Sequence, residues 1–456
     1  MELHRLSATD LAARLRAGSV TATEALAACL ERIEKHNPEL TAVVSLDAEA
    51  AARHAAEADE ALRRGDDVGP LHGVPMTLKD GHDVAGLRTT IGTTAFDRVA
   101  SDDGTVAARL RAAGANLIGH TNVAPFLADY QSANPVFGRT SNPWDLSRTA
   151  GGSSGGAAAA LAAGMTPLEY GSDLAGSLRL PAAFCGVYAL RTSEHRVPLT
   201  GFFHLPGVPR SVRIMNSLGP MARTLDDLEL ALRITAGPDG RDLDVPPVPL
   251  TSRGPRAISG LRLAVAPALP GTTLSRGVRA QVEALAARAS DAGAQVTDRL
   301  PDVDWNALGE LFGALIGPIT QIFDPNADLS DEQRSLAHYL KALDLRDRLT
   351  GAFEDYFGEI DALVLPASMT VAFPHTENDL IDVDGEPVSY AQQGYQLVFA
   401  NVTGLPALAA PAGYDDGLPV GVQLVGPRWS EPDLLGIART LESTGVLPGF
   451  TAPPGT

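Results

Sequence analysis

Apolar residues recur at helical spacing near the start of the chain, where Thr21 and Glu24 form a capping box ahead of Leu26, Cys29, Leu30 and Ile33. His36, Asn37 and Pro38 read as the stop of that helix. The pattern changes at Gly73. Val74-Pro75-Met76-Thr77-Leu78-Lys79 reads as a short strand and Asp80-Gly81 as the turn after it, which puts Lys79 at a strand end. After Asp102 and Asp103, Val106, Leu110 and Ala113 mark a helix closed by Gly114, and Ala115 to Ile118 a further strand. The same alternation returns later as a strand over Leu261 to Val265, a helix over Val278 to Asp291 and a strand over Ala294 to Thr297. Helix and strand in turn predict an α/β sheet with helices on its faces. Residues 237–256, rich in Pro, Gly and charge, read as a surface linker between a core over 61–236 and a second α/β portion over 257–456; a helical segment, 1–60, precedes both.

Composition narrows what such a sheet can serve. At 456 residues, 45% hydrophobic and 20% charged, the chain has the makings of a large core and none of the signature of disorder. A net charge of -19 argues against nucleic acid and anionic lipid as partners, because phosphate binding draws on clustered Lys and Arg. Cys29 and Cys185 are far apart and lack a CxxC or a His cluster, so two buried free thiols are expected, and no cofactor or metal. MELHRLSATD has no apolar core of a leader, and no run of about 18 apolar residues occurs, so a cytoplasmic protein is expected.

Two clusters of Gly and Ser carry candidate chemistry: Gly151-Gly152-Ser153-Ser154-Gly155-Gly156 and Gly171-Ser172-Asp173-Leu174-Ala175-Gly176-Ser177. The first could cradle a phosphate before the helix-like Ala157 to Ala163, but Ala157 stands where a Walker loop needs Lys. It also matches GxSxG through Gly151, Ser153 and Gly155, with Asp361 and His375 able to complete a Ser, Asp, His order. The polar run Asp145 to Ala150 is a poor elbow strand. An esterase using Ser153 therefore stands as an alternative.

Taken together, these segments resemble the amidase signature family. The resemblance covers Gly73 to Arg233 and returns over Ala400 to Glu442, with Gly404-Leu405-Pro406-Ala407 and Gly417 to Gly426. It implies a three-layer α/β/α single domain around a large mixed, twisted sheet. It also implies a Ser-cisSer-Lys triad, with Lys79 as base, Ser153 on a cis peptide as proton relay and Ser177, 24 positions later, as nucleophile. Backbone amides of Leu174, Ala175, Gly176 and Ser177 would receive the oxyanion, and Asp173, Arg179 and Ser154 would organise the loops.

The physical demand is clear. A serine hydroxyl needs a base, and a Lys serves only when its amine is neutral. Free Lys has a pKa of about 10.4, so working near pH 8 requires that value to fall by roughly 2, worth about 3 kcal/mol, and burial acts in that direction.

The resemblance is imperfect at Ala175, where Gly is usual, at Arg191-Thr192-Ser193-Glu194, where Lys-Pro-Thr is usual, and at Pro125, where an acidic residue is common. A positive φ at Ala175 would bring strain. Phe202, Phe203, Leu205, Phe312, Ile316, Tyr390 and Tyr395 fall in variable segments with few charges and suggest an apolar pocket for an amide, aryl amide or carbamate. A monomer or homodimer acting on such a small molecule with water is the expected form. The alternative is the glutamine-dependent subunit of an amidotransferase, which would need partner chains.

Overall fold

Most strands of the chain's middle are buried along their whole length rather than on alternate residues, which requires cover on both faces of the sheet they form. The computed structural model, which describes residues 2–203, 210–254, 256–323, 330 and 335–456, shows that sheet. Its strands are β1 (Val43–Leu46), β2 (Pro75–Lys79), β3 (Asn116–Thr121), β4 (Leu168–Asp173), β5 (Tyr188–Arg191), β6 (Ser217–Ala222), β7 (Arg262–Val265), β8 (Gln295–Thr297), β9 (Ala362–Pro366), β10 (Ala407–Asp415) and β11 (Leu418–Val425). All 11 join one sheet in the order β1-β3-β2-β4-β6-β5-β10-β11-β9-β7-β8. Two parallel blocks, β3-β2-β4 and β9-β7-β8, flank an antiparallel centre. The mixed α/β sheet and single domain implied by the resemblance are what the chain forms.

Seven helices position or surround the site: α1 (Ala22–Leu40), α2 (Gly155–Ala162), α3 (Arg179–Cys185), α4 (Arg276–Asp291), α5 (Trp305–Phe323), α6 (Leu336–Phe357) and α7 (Val398–Val402). The capping box at Thr21 and Glu24 is present, but α1 does not stop at His36: it continues through Pro38 to Leu40. Asn37 explains the difference. Its Oδ1 accepts from the N–H of Ala42 and Val43 at 2.8 Å each, so it anchors the exit of the helix rather than ending it. Elsewhere the expected strands and helices appear with ends moved by one to three residues, the usual uncertainty of termini.

The 237–256 stretch is irregular but tied down. Asp239 accepts from Thr105 Oγ1, Asp242 Oδ2 accepts from Leu199 N–H at 3.0 Å, and Arg213 pairs with Asp244 at 2.7 Å. The sheet continues across it, with β6 before and β7 after.

Two large apolar clusters lie on the sheet. One gathers α2, α4 and the first half of the chain; the other gathers α5, α6 and α7, where Phe353 stacks on Phe399 at 5.6 Å and Trp305 meets both rings edge-on. Both cysteines are free and buried. Among the described residues no helix is long and apolar enough to cross a membrane.

Close approach of α3 to the sheet is set by Gly421 on β11, where an added Cβ would lie 2.6 Å from both Cα and Cβ of Ala183. Backbone cannot retreat there without moving the helix. Replacing Gly421 with Ala is expected to lower unfolding free energy by about 1–3 kcal/mol, as overpacking does; chemical denaturation of the two proteins measures it, and equal midpoints would contradict this packing.

Candidate active site

Parallel pairing of β2 with β4, through Thr77 opposite Glu169 and Leu78 opposite Tyr170, brings the carboxyl ends of both strands together. Open α/β sheets bind ligands at such ends. Lys79 closes β2, Asp173 closes β4, and the Gly-Ser loop before α2 folds over them.

Lys79 Nζ lies 2.7 Å from Ser153 Oγ and 3.0 Å from Ser172 Oγ, and all three residues are buried. Lys79 and Ser153 have 0% of their surface exposed, against 7% for Ser177, so water or substrate reaches the downstream serine first. Burial drives the Lys79 amine down to about 7, against the opposing pull of the negative Asp173. The Gly152–Ser153 peptide is cis, as the resemblance implies.

Ser177 meets the same loop through its backbone, accepting at its carbonyl from the N–H of Ser154 at 3.2 Å. Its Oγ makes no hydrogen bond to a described residue, which leaves the hydroxyl free to turn toward a substrate; such contacts often tighten only in the complex. Ser154 Oγ reaches Ser172 O at 3.4 Å and thereby ties the loop to β4.

The turn from Asp173 to Ser177 is organised by charge. Asp173 Oδ1 accepts from Gly176 N–H at 2.8 Å, and Oδ2 from Leu178 N–H at 3.2 Å. Arg179 uses all five of its donors: Nε and Nη2 on Asp173 at 3.0 and 2.9 Å, Nη1 on Leu397 O and Gln423 Oε1 at 2.9 and 2.7 Å, and Nη2 again on Asn401 Oδ1 at 2.6 Å. Burial alone would push the Asp173 carboxyl up; the charges of Arg179 and Arg191 and the amide of Asn401 outweigh it and hold the group well below the usual carboxylate range.

This geometry amends one expectation. Gly176 N–H is committed to Asp173, so one of the four amides expected to receive an oxyanion already has a partner. It also removes the concern over Ala175. The left-handed backbone belongs to Gly176, at φ 110, while Ala175 is not among the residues of positive φ.

The aromatic and aliphatic candidates separate. Phe312 and Ile316 on α5 are partly buried and pack on the same apolar cluster as Leu174. Tyr395 is half exposed and borders a cleft of about 560 Å³ shared with Trp305 and Phe399. Phe202 is buried, with its ring 4.9 Å from that of His82 and close to Gly81, and Phe203 N–H donates to Gly81 O at 2.8 Å, which sets this pair against the turn after β2. Tyr390 packs on a further apolar cluster with Leu180 and Phe373, its hydroxyl donating to Asp129. Leu205 lies outside the described residues.

The esterase alternative finds no support. Residues before the Gly-Ser loop form a small hairpin, Ser141–Asn142 with Asp145–Thr149, apart from the main sheet. Asp361 is paired with Arg256 and Arg262 at 2.9 Å each, so its carboxylate is engaged away from His375. Among the described residues no group of three or more His, Cys, Asp or Glu is placed to hold a metal ion.

Ser172, Asn401, Gln423, Ser132 and Tyr130 carry site contacts that the reading of the sequence left without roles. Asn401 and Gln423 fall inside the Ala400 to Glu442 segment, whose return so late in the chain was the available signal.

Comparison with known proteins agrees with this arrangement. The profile of the family described as Amidase matches residues 24–312 and 301–435. The A subunit of the glutamyl-tRNA(Gln) amidotransferase of Carboxydothermus hydrogenoformans is 32% identical over 489 residues, covering 97% of this chain and 98% of that protein. A solved, inhibitor-bound structure from work on the evolutionary origins of an s-triazine catabolic enzyme superposes with a TM-score of 0.84 at 28% identity, covering 97% of this chain and 99% of that one. A bacterial aryl acylamidase shares the fold at TM-score 0.85 and 23% identity, with 98% of each chain covered. Sequence, fold and site thus lead to one assignment: the chain belongs to the amidase signature family, whose members act on C–N amide bonds.

Proposed function

We propose that this chain hydrolyses the C–N bond of neutral amides, aryl amides or carbamates through an acyl-Ser177 intermediate, with Ser153 and Lys79 carrying the proton. The observation that bears most weight is the dry 2.7 Å contact between Lys79 Nζ and Ser153 Oγ on a loop that also touches Ser177. A neutral amine has two N–H donors and one lone pair. With one N–H directed to Ser172 Oγ, the lone pair is free to take the Ser153 proton while Ser153 takes that of Ser177.

Ser177 Oγ then adds to the carbonyl carbon. The resulting oxyanion accepts from the amides of Leu174, Ala175 and Ser177. Collapse breaks the C–N bond, and the departing amine recovers a proton from Lys79 through Ser153. Water repeats the sequence on the acyl-serine, releasing the acid and restoring Ser177. The apolar surroundings of Leu174, Phe312 and Ile316 favour an uncharged acyl group.

A second reading has its own support: the Carboxydothermus hydrogenoformans relative is named as part of an amidotransferase. Under it the chain would release ammonia from glutamine and act with partner chains. Assays of the purified chain alone against an anilide, a urethane and glutamine separate the two. The first reading expects turnover of the anilide or urethane and little of glutamine; preference for glutamine, or activity only with added partners, favours the second.

Ser177→Ala is expected to abolish turnover by a factor of about 10³ or more while leaving thermal unfolding unchanged. Mass spectrometry after treatment with a fluorophosphonate should find the adduct on Ser177 alone, and an adduct on Ser153 would require the roles to be redrawn. The pH profile follows from the sign at Lys79, whose protonated form is inactive. kcat/KM should rise about tenfold per pH unit below about 7 and level off above it; a profile level from about pH 5.5 to 9 would rule out this base.

A further inference from the structure

The segment from Asp129 to Ser132 touches both loops of the site. Ser132 N–H donates to Gly151 O at 3.0 Å, and Ser132 Oγ accepts from Gly155 N–H at 2.9 Å while donating to Ser153 O at 3.2 Å. Two residues earlier, the hydroxyl of Tyr130 donates to Ala175 O at 3.3 Å. That carbonyl and the N–H of Gly176 belong to one planar peptide group, and the N–H donates to Asp173 Oδ1 at 2.8 Å. The group is therefore held at both ends, by Tyr130 on one side and Asp173 on the other. Its orientation limits the directions open to the amides on either side of it, those of Ala175 and Ser177.

Tyr130 is itself steered. Its ring lies 6.1 Å from that of Tyr390, whose hydroxyl donates to Asp129. Gly394 faces its hydroxyl so closely that an added Cβ would lie 2.0 Å from Oη. Burial and the nearby Asp173 push the phenol up, so it stays a donor at working pH. An O–H···O contact of 3.3 Å is long, which makes it a better guide of direction than a source of stability.

We infer that Tyr130 is a positioning residue for the oxyanion loop: its hydroxyl, set by Tyr390 and Gly394, fixes the Ala175–Gly176 peptide group and so aims the neighbouring amides at the tetrahedral oxyanion. The inference rests on the reading of 174–177 as the loop that receives that charge. A direct oxyanion donor is worth about 10²–10³ in kcat, and a group acting one step back is worth less.

Tyr130→Phe is therefore expected to lower kcat by about tenfold with KM within about twofold. Affinity for a boronic acid, which forms a tetrahedral adduct on the serine, should fall by the same factor, while that for the product carboxylic acid stays constant. Gly394→Ala, which drives a methyl group into the Tyr130 hydroxyl, should reproduce the loss, and the double variant should lose no more than either single one. Unchanged kcat in Tyr130→Phe, a loss confined to KM, or additive losses in the double variant would overturn the inference. Failure of the underlying reading looks different, because the wild-type chain would then carry no fluorophosphonate adduct on Ser177.

Discussion

An amine sealed from water gives up its proton unless a negative charge stands close enough to hold it, and the end of β2 is where these two forces meet. Lys79 is fully buried and Asp173 lies nearby, so the outcome turns on how much of the Asp173 charge is already spent. Arg179 contacts Asp173 Oδ1 at 2.9 Å and Arg191 stands 3.7 Å from the same oxygen. Two guanidiniums thus answer one carboxylate, and burial prevails at Lys79. The arginines shape the turn that carries Ser177, and they also weaken the counter-charge that would otherwise keep the Lys79 amine protonated.

Buried ion pairs seldom add net stability, because desolvation offsets the attraction, whereas removing one partner costs about 3–5 kcal/mol. The Asp173–Arg179 pair is better understood through what it connects. Arg179 reaches Leu397 O, Asn401 and Gln423, contributed by the approach to α7, by α7 itself and by β11. Chain segments more than 200 residues apart meet on one side chain. The turn between Asp173 and Arg179 is thus fixed from the second half of the molecule, in part by residues of the Ala400 to Glu442 segment.

Much of this was legible in the sequence, and the remainder shows what periodicity cannot carry. The strand ending at Lys79, the capping box of α1 and the sheet on both sides of residues 237–256 follow from local patterns, because each depends on neighbours within a few positions. Pro38 does not end the helix because a helix end is decided by where its groups find partners, and the Asn37 carbonyl accepts from Thr41 N–H at 2.8 Å, beyond the proline. The resemblance implies four amides for an oxyanion, and only the hydrogen bond from Gly176 N–H to the Asp173 side chain shows that one of the four is engaged within the turn. Aromatic residues in variable segments gave the weakest guide. Phe202 and Phe203 belong to one apolar cluster while Phe312 and Ile316 pack on the other, and hydrophobicity alone is the same for packing as for lining a pocket.

Whether the Lys79 amine is uncharged at working pH can be observed without substrate. The chain contains three lysines, Lys35, Lys79 and Lys341, so labelling lysine with ¹³C at Cε gives three resonances whose shifts can be followed with pH. The resonance that is absent from Lys79→Met is expected to titrate at about 7. A Lys79 resonance that does not move until the pH nears the ordinary lysine value of about 10.4 would mean a charged Lys79 at neutral pH, and the proton path through Ser153 would have no acceptor.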